Sequence, residues 1–232
     1  MQNQTFSQQQ LFPQKTDLNF NTPNLWYEKS LGTTIITLVY DGGVMLAADC
    51  RTSSGSFVAN RVADKIWPVA KNIFALKAGT ASDTQFLIES VKGYISQFAI
   101  EYNDKPPVKV AARLLQQYQY NYKDYLSAAV ILAGVDNVEG PCIYSVGMGG
   151  TLLKQNIAMN GSGSSYIYGY VDKNYKPNMT RQEAKEFLKN CVTLAIYRDN
   201  ASGGCIRMLD ITKDGFTRDF IPFDKIDFPK MQ

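Results

Sequence analysis

Gly32-Thr33-Thr34-Ile35-Ile36-Thr37-Leu38-Val39-Tyr40-Asp41-Gly42-Gly43-Val44-Met45-Leu46-Ala47-Ala48-Asp49-Cys50-Arg51-Thr52 is the stretch that organises this chain. Its β-branched and apolar residues over 34–40 predict a strand, Asp41-Gly42-Gly43 a tight hairpin turn, and 44–48 the returning strand. Another strand is predicted over 73–78, closing on Gly79. Outward from this hairpin, helices are predicted over 82–102 and 108–126. Ser82 and Gln85 have capping-box spacing in the first, and Val110, Leu114, Tyr118 and Tyr122 form the apolar stripe of the second. Strands follow over 128–135, 142–146 and 152–158, then a short helix over 165–171. A longer helix over 180–198 has Thr180 and Glu183 at capping-box spacing, and strands over 205–211 and 216–220 finish the chain. Blocks of strands separated by paired helices predict an α+β fold, with two antiparallel sheets face to face and helices on both outer faces.

Residues 1–31 differ from the rest: they hold ten Gln or Asn and two prolines, with no alternating apolar pattern, which predicts a loosely draped extension. The remainder reads as one domain. Of the 232 residues 45% are hydrophobic and 19% charged, as in ordinary globular chains. A net charge of +3 without a Lys/Arg run gives no basic stripe for nucleic acid. No apolar stretch approaches the length of a membrane helix and no signal-peptide pattern opens the chain, so an intracellular setting is expected. Cys50, Cys142, Cys191 and Cys205 form no C-x-x-C pair, and buried free thiols are the expectation for all four.

The chain contains no histidine. A Ser-His-Asp triad, a Cys-His pair or a histidine-ligated metal is therefore excluded within it. A hydrolase built from this sequence needs another proton acceptor, and an α-amino group titrating at roughly 7.7–8.0 is one of the few near neutrality.

Seven runs, taken in order, resemble catalytic beta subunits of the proteasome. They are Gly32-Thr33-Thr34, Asp41-Gly42-Gly43-Val44, Ala48-Asp49-Cys50-Arg51-Thr52, Ala59-Asn60-Arg61-Val62-Ala63-Asp64-Lys65, Ala78-Gly79-Thr80-Ala81-Ser82-Asp83, Gly161-Ser162-Gly163-Ser164-Ser165-Tyr166 and Tyr197-Arg198-Asp199-Asn200-Ala201-Ser202-Gly203-Gly204. The resemblance spans residues 32–222, and Ser164 to Asp172 looks most like the caspase-like type, which cuts after acidic residues. It implies the four-layer αββα fold of N-terminal-nucleophile hydrolases. It also implies a propeptide over 1–32 that is removed, leaving a single peptidase domain over 33–232 that needs no cofactor or metal. Stacked seven-membered rings with other alpha and beta subunits are implied as partners, polypeptides as substrates, and cytoplasm and nucleus as the location.

The resemblance assigns Thr33 as nucleophile, Lys65 as the ammonium beside it and Asp49 as that ammonium's partner. Self-cleavage between Gly32 and Thr33 would free the threonine amine, which then serves its own hydroxyl as base; an amide nitrogen could not. A cation near that amine favours its unprotonated form. Gly79 is implied as a backbone donor to the developing oxyanion, a contribution of about 3–4 kcal/mol in other enzymes. Ser162, Asp199 and Ser202 are implied around the threonine, with Ser164 competing for the part of Ser162. Arg51 is expected to be structural.

For the residue before the cut, Thr52, Ser53, Ala63, Trp67, Lys77, Ala81 and Gln85 are implied as pocket residues. Lys77 would favour a carboxylate; the caspase-like type carries arginine there, and Ala63 and Trp67 stand where threonines are common. Two other readings stay open: a structural ring subunit without activity, and an N-terminal-nucleophile amidohydrolase acting on small amides. A dinucleotide-binding fingerprint is not supported, because Gly161-Ser162-Gly163 meets Tyr166 where the third glycine belongs.

Overall fold

A computed structural model describes residues 32–54, 57–102 and 105–229. The predicted extension and all of the implied propeptide except Gly32 lie outside these residues. Among the described residues two five-stranded antiparallel sheets stack face to face. One runs β10-β1-β2-β11-β12, from Ile157–Asn160, Ile35–Tyr40, Gly43–Asp49, Ile206–Thr212 and Gly215–Ile221. The other runs β5-β6-β7-β8-β9, from Ile66–Ala70, Ile73–Gly79, Ala128–Asp136, Gly140–Val146 and Leu152–Gln155. β3 (Thr52–Ser54) and β4 (Phe57–Asn60) pair as a separate hairpin. Helices α1 (Ala81–Tyr102) and α2 (Val108–Asn121) cover the second sheet, and α3 (Tyr168–Asn174) and α4 (Arg181–Arg198) cover the first.

Three apolar clusters correspond to the three seams of this αββα sandwich. Ile35, Val44, Leu46, Phe74, Leu76 and Ile131 meet between the sheets. Alternate residues of the same strands face outward: Ile36, Leu38, Met45 and Ala47 meet Leu188, Val192 and Ala195 of α4. On the other side Ala75, Val130 and Leu132 meet Leu87, Val91 and Ile95 of α1 and Leu115 of α2. Because both faces of the central strands are buried, 128–135 reads as one unbroken apolar run.

Several local expectations are corrected. The predicted strand over 152–158 is two strands: the chain leaves the second sheet after Gln155 and joins the first at Ile157, pairing Leu38 with Ile157. The buried face of α2 is Val108, Ala111, Ala112, Leu115 and Gln119, next to the predicted stripe. Its two alanines let the backbone approach the sheet, while Val110, Leu114 and Tyr118 pack along the flank. Helix α1 begins at Ala81, so Ser82 is already inside it and its hydroxyl turns to Asp83 at 3.2 Å; the predicted Ser82/Gln85 box does not form. The Thr180/Glu183 box does form. Cys142 and Cys191 are buried thiols, but Cys50 and Cys205 form a disulfide. The ladder that aligns Ile206 with Asp49 brings these two cysteines together across a sequence separation of 155, which linear spacing could not reveal.

Candidate active site

The site lies where one end of the first sheet meets the second. Thr33 precedes β1, Asp49 ends β2, and residues 199–204 lead into β11. Lys65 precedes β5 and Gly79 ends β6. Thr33, Asp49 and Lys65 are all buried, as are Asp199 and Ser202.

Lys65 is the hub. Its Nζ donates to Asp49 Oδ1 at 2.5 Å, to Thr33 Oγ1 at 3.0 Å and to the Gly32 carbonyl at 3.2 Å. Thr33 Oγ1 in turn donates to that carbonyl at 2.7 Å. Burial pushes the Lys65 ammonium below the ordinary lysine value, while the Asp49 carboxylate, and more distantly Asp199, draw it back up. Asp49 is further held by main-chain donors: Thr34 N at 2.8 Å, Gly203 N at 3.0 Å and Arg51 N at 3.2 Å. Arg51 donates to the Asn200 carbonyl at 2.9 Å and so braces the loop bearing Asp199.

A second network reaches the threonine nitrogen. Thr33 N donates to Ser162 Oγ at 3.2 Å, and Ser162 Oγ donates to Asp199 Oδ2 at 2.6 Å. Ser202 Oγ donates to the same carboxylate oxygen at 2.7 Å and lies 2.7 Å from Thr34 Oγ1. Ser164 instead donates to the Gly161 carbonyl at 2.7 Å, which separates the two candidate serines. Gly161 and Gly163 were not singled out in the sequence as site residues. A Cβ on Gly161 would strike the Thr33 carbonyl, and one on Gly163 would strike the Thr34 hydroxyl.

Beside Thr33 opens a cavity of about 60 Å³. Thr52, Ser53, Ala63, Lys77 and Ala81 all line it, as does Gly79. Gly79 has φ +108°, and a Cβ there would run into the Ser127 carbonyl, so glycine is required by the backbone path. Gln85 does not line the cavity; it bonds Glu89 along its helix at 2.9 Å. Trp67 stands behind the lining, its ring centroid 3.9 Å from Lys77 Nζ. Asp64 and Thr84 line the cavity and carry no signal in the sequence beyond their neighbours in the quoted runs.

The sequence model of the family described as "Proteasome: Proteasome subunit" matches residues 29–211. The chain belongs to the proteasome subunit family. Its relatives include "Proteasome subunit beta type-6" of Arabidopsis thaliana, 43% identical over 210 residues, covering 90% of this chain and 88% of that protein. "Probable proteasome subunit beta type-1" of Schizosaccharomyces pombe is 47% identical over 197 residues, covering 85% of this proteasome subunit and 87% of the relative. "Proteasome subunit beta type-6" of Dictyostelium discoideum is 45% identical over 192 residues, covering 83% and 90%. Within this proteasome subunit no helix among the described residues is long and apolar enough to cross a membrane.

Proposed function

We propose that this proteasome subunit is a threonine endopeptidase of the core particle, made as a precursor that cuts itself between Gly32 and Thr33. The observation that carries the reading is the triangle formed by Thr33 Oγ1, the Gly32 carbonyl and Lys65 Nζ, each within hydrogen-bonding distance of the other two. In the first reaction the hydroxyl oxygen adds to the Gly32 carbonyl carbon, while Lys65 offsets charge on the carbonyl oxygen. The proton released by the hydroxyl passes to the nitrogen as the C–N bond breaks, leaving Gly32 as an ester on the threonine oxygen. Water then hydrolyses that ester to a Gly32 carboxylate and a Thr33 bearing a free hydroxyl and a free amine.

In later turnovers the amine accepts the hydroxyl proton and the oxygen attacks a substrate carbonyl. Ser162 and Asp199 hold the nitrogen in place, Asp49 fixes Lys65, and Gly79 supplies a main-chain donor to the oxyanion. The leader over 1–32 is the propeptide and 33–232 the peptidase domain. The cavity lined by Thr52, Ser53, Ala63, Lys77 and Ala81 receives the side chain before the cut, with Lys77 selecting Asp or Glu. Other alpha and beta subunits in stacked heptameric rings are its partners, unfolded polypeptides its substrates, and cytoplasm and nucleus its location.

The test is N-terminal sequencing of the subunit purified from assembled particles, for the native chain and for Thr33→Ala, with every other active subunit silenced. The native chain should begin at Thr33 and the variant should keep its leader and lack activity. A native chain that cleaves peptides with the Gly32–Thr33 bond intact would overturn the mechanism.

A further inference from the structure

The cavity beside Thr33 is lined by the ammonium-bearing Lys77. Among the described residues no carboxylate lies within ion-pair distance of Lys77, and no side-chain acceptor is hydrogen-bonded to its Nζ. The carboxylate that lines the same cavity, Asp64, is committed elsewhere: Oδ2 accepts from Arg218 at 2.7 Å and Oδ1 from Ile66 N at 2.9 Å. What holds the Lys77 ammonium is the face of Trp67, with the ring centroid 3.9 Å away.

That contact follows from register. Trp67 of β5 pairs with Ala75 of β6, and Lys77 lies two residues further along the same face, so indole and lysine are diagonal neighbours across the ladder. The indole is itself fixed, because Nε1 donates to the Asp64 carbonyl at 3.0 Å. A cation on an aromatic face is attracted without giving up its N–H donors, three of which an ammonium carries.

We propose that Trp67 is a specificity-determining residue, which positions the Lys77 ammonium in advance as a point charge for a short carboxylate side chain. The proposal rests on reading this cavity as the pocket for the residue before the cut. A lysine alone would lose the freedom of its four-carbon stem when it met a substrate; a lysine already held on a ring has lost most of it beforehand. The cavity is small, about 60 Å³, which favours a short side chain over a bulky one. An apolar side chain of similar size would cover the ammonium without pairing it, which is unfavourable. A basic one would meet a like charge. Trp67 thus does for a lysine part of what a second guanidinium nitrogen does for an arginine.

The experiment compares kcat/KM on matched fluorogenic peptides ending in Asp, Glu or Leu, using assembled particles in which the other active subunits are silenced. Trp67→Leu should lower the ratio of acidic to Leu cleavage about tenfold, carried by KM rather than kcat, the scale expected for a desolvated cation–π contact. Trp67→Tyr and Trp67→Phe keep the volume of a ring and guard against a variant that fails to fold; their ratios should fall in the order Trp, Tyr, Phe. Lys77→Met should remove the preference outright. If the ratio is the same across the aromatic series and Leu while Lys77→Met removes it, the ring does not position the cation: this inference falls and the reading of the pocket stands. If the native particle shows no preference for acidic residues, both fall.

Discussion

Gly32 faces Ala201 so closely that a Cβ on the glycine would overlap the alanine's carbonyl. The loop cannot yield cheaply, because Ala201 N donates to Asp199 Oδ1 at 3.1 Å and Ser202 N to the Asp199 carbonyl at 3.1 Å. Gly32→Ala should therefore displace the carbonyl that Thr33 Oγ1 and Lys65 Nζ now share. Self-cleavage is expected to slow about a hundredfold, the cost of a misplacement on the order of 1 Å. A time course of N-terminal sequencing after synthesis measures this; maturation at the native rate would count against it.

Asp49 gathers an ammonium and three main-chain N–H groups in a fully buried position. Removing the carboxylate strands both the cation and the donors. Asp49→Ala should cost about 3–5 kcal/mol, as for other broken buried pairs, and should abolish activity. Thr33→Ala removes one hydroxyl and should stay within about 1–2 kcal/mol of the native chain. Thermal melting of assembled particles separates the two, and equal melting temperatures would contradict the assignment.

Ser162 and Ser164 are two residues apart but differ in partner, Thr33 N for one and the Gly161 carbonyl for the other. Ser162→Ala should lower kcat about 10- to 100-fold by loosening the nitrogen that later acts as base. Ser164→Ala should cost less than about threefold, since its hydroxyl only braces a turn. Single-turnover kinetics on mature particles reads both, and the reverse order would exchange their roles.

Burial lowers the Lys77 ammonium below the ordinary lysine value of 10.5. Lys65 adds to the lowering, while Asp64 and Glu89 oppose it. As pH rises toward this lowered value, Lys77 loses its proton before exposed lysines do. Cleavage after acidic residues, relative to Leu, should therefore fade on the alkaline side at a pH below 10.5. The same depression means the folded chain binds fewer protons than the unfolded chain between the two values, so this group's contribution to stability rises with pH through that window. An acidic preference that persists unchanged above pH 10.5 would show that the Lys77 charge does not carry it.

The apolar and β-branched runs over 34–40, 44–48 and 128–135 make the central strands legible, because a strand buried on both faces carries its signal in every residue. The hairpin of β3 and β4 is not legible in the sequence: Phe57–Asn60 is only four residues long and exposed throughout, so its apolar residues trace no buried face. Strand β5 was missed for a related reason, with Pro68 in its middle and a register shift beside it. Within the site, Thr33, Asp49 and Lys65 could be named from their spacing of 16 and 32 residues within runs that resemble a known family. Trp67 on Lys77 and Arg218 on Asp64 could not, since each depends on which strand stands beside which and on where a long side chain comes to rest.

The double pairing of β1 bears on the proposed removal of the leader. Ile35 is matched to Ala48 on one side and to Asn160 on the other, two residues from Thr33. Chain ends ordinarily fray, but this one would be born in the middle of a sheet, laced to neighbours on both flanks. Under the proposed self-cleavage, severing the bond before Thr33 would free an amine without loosening its address, so the newborn terminus would start work where the precursor had set it.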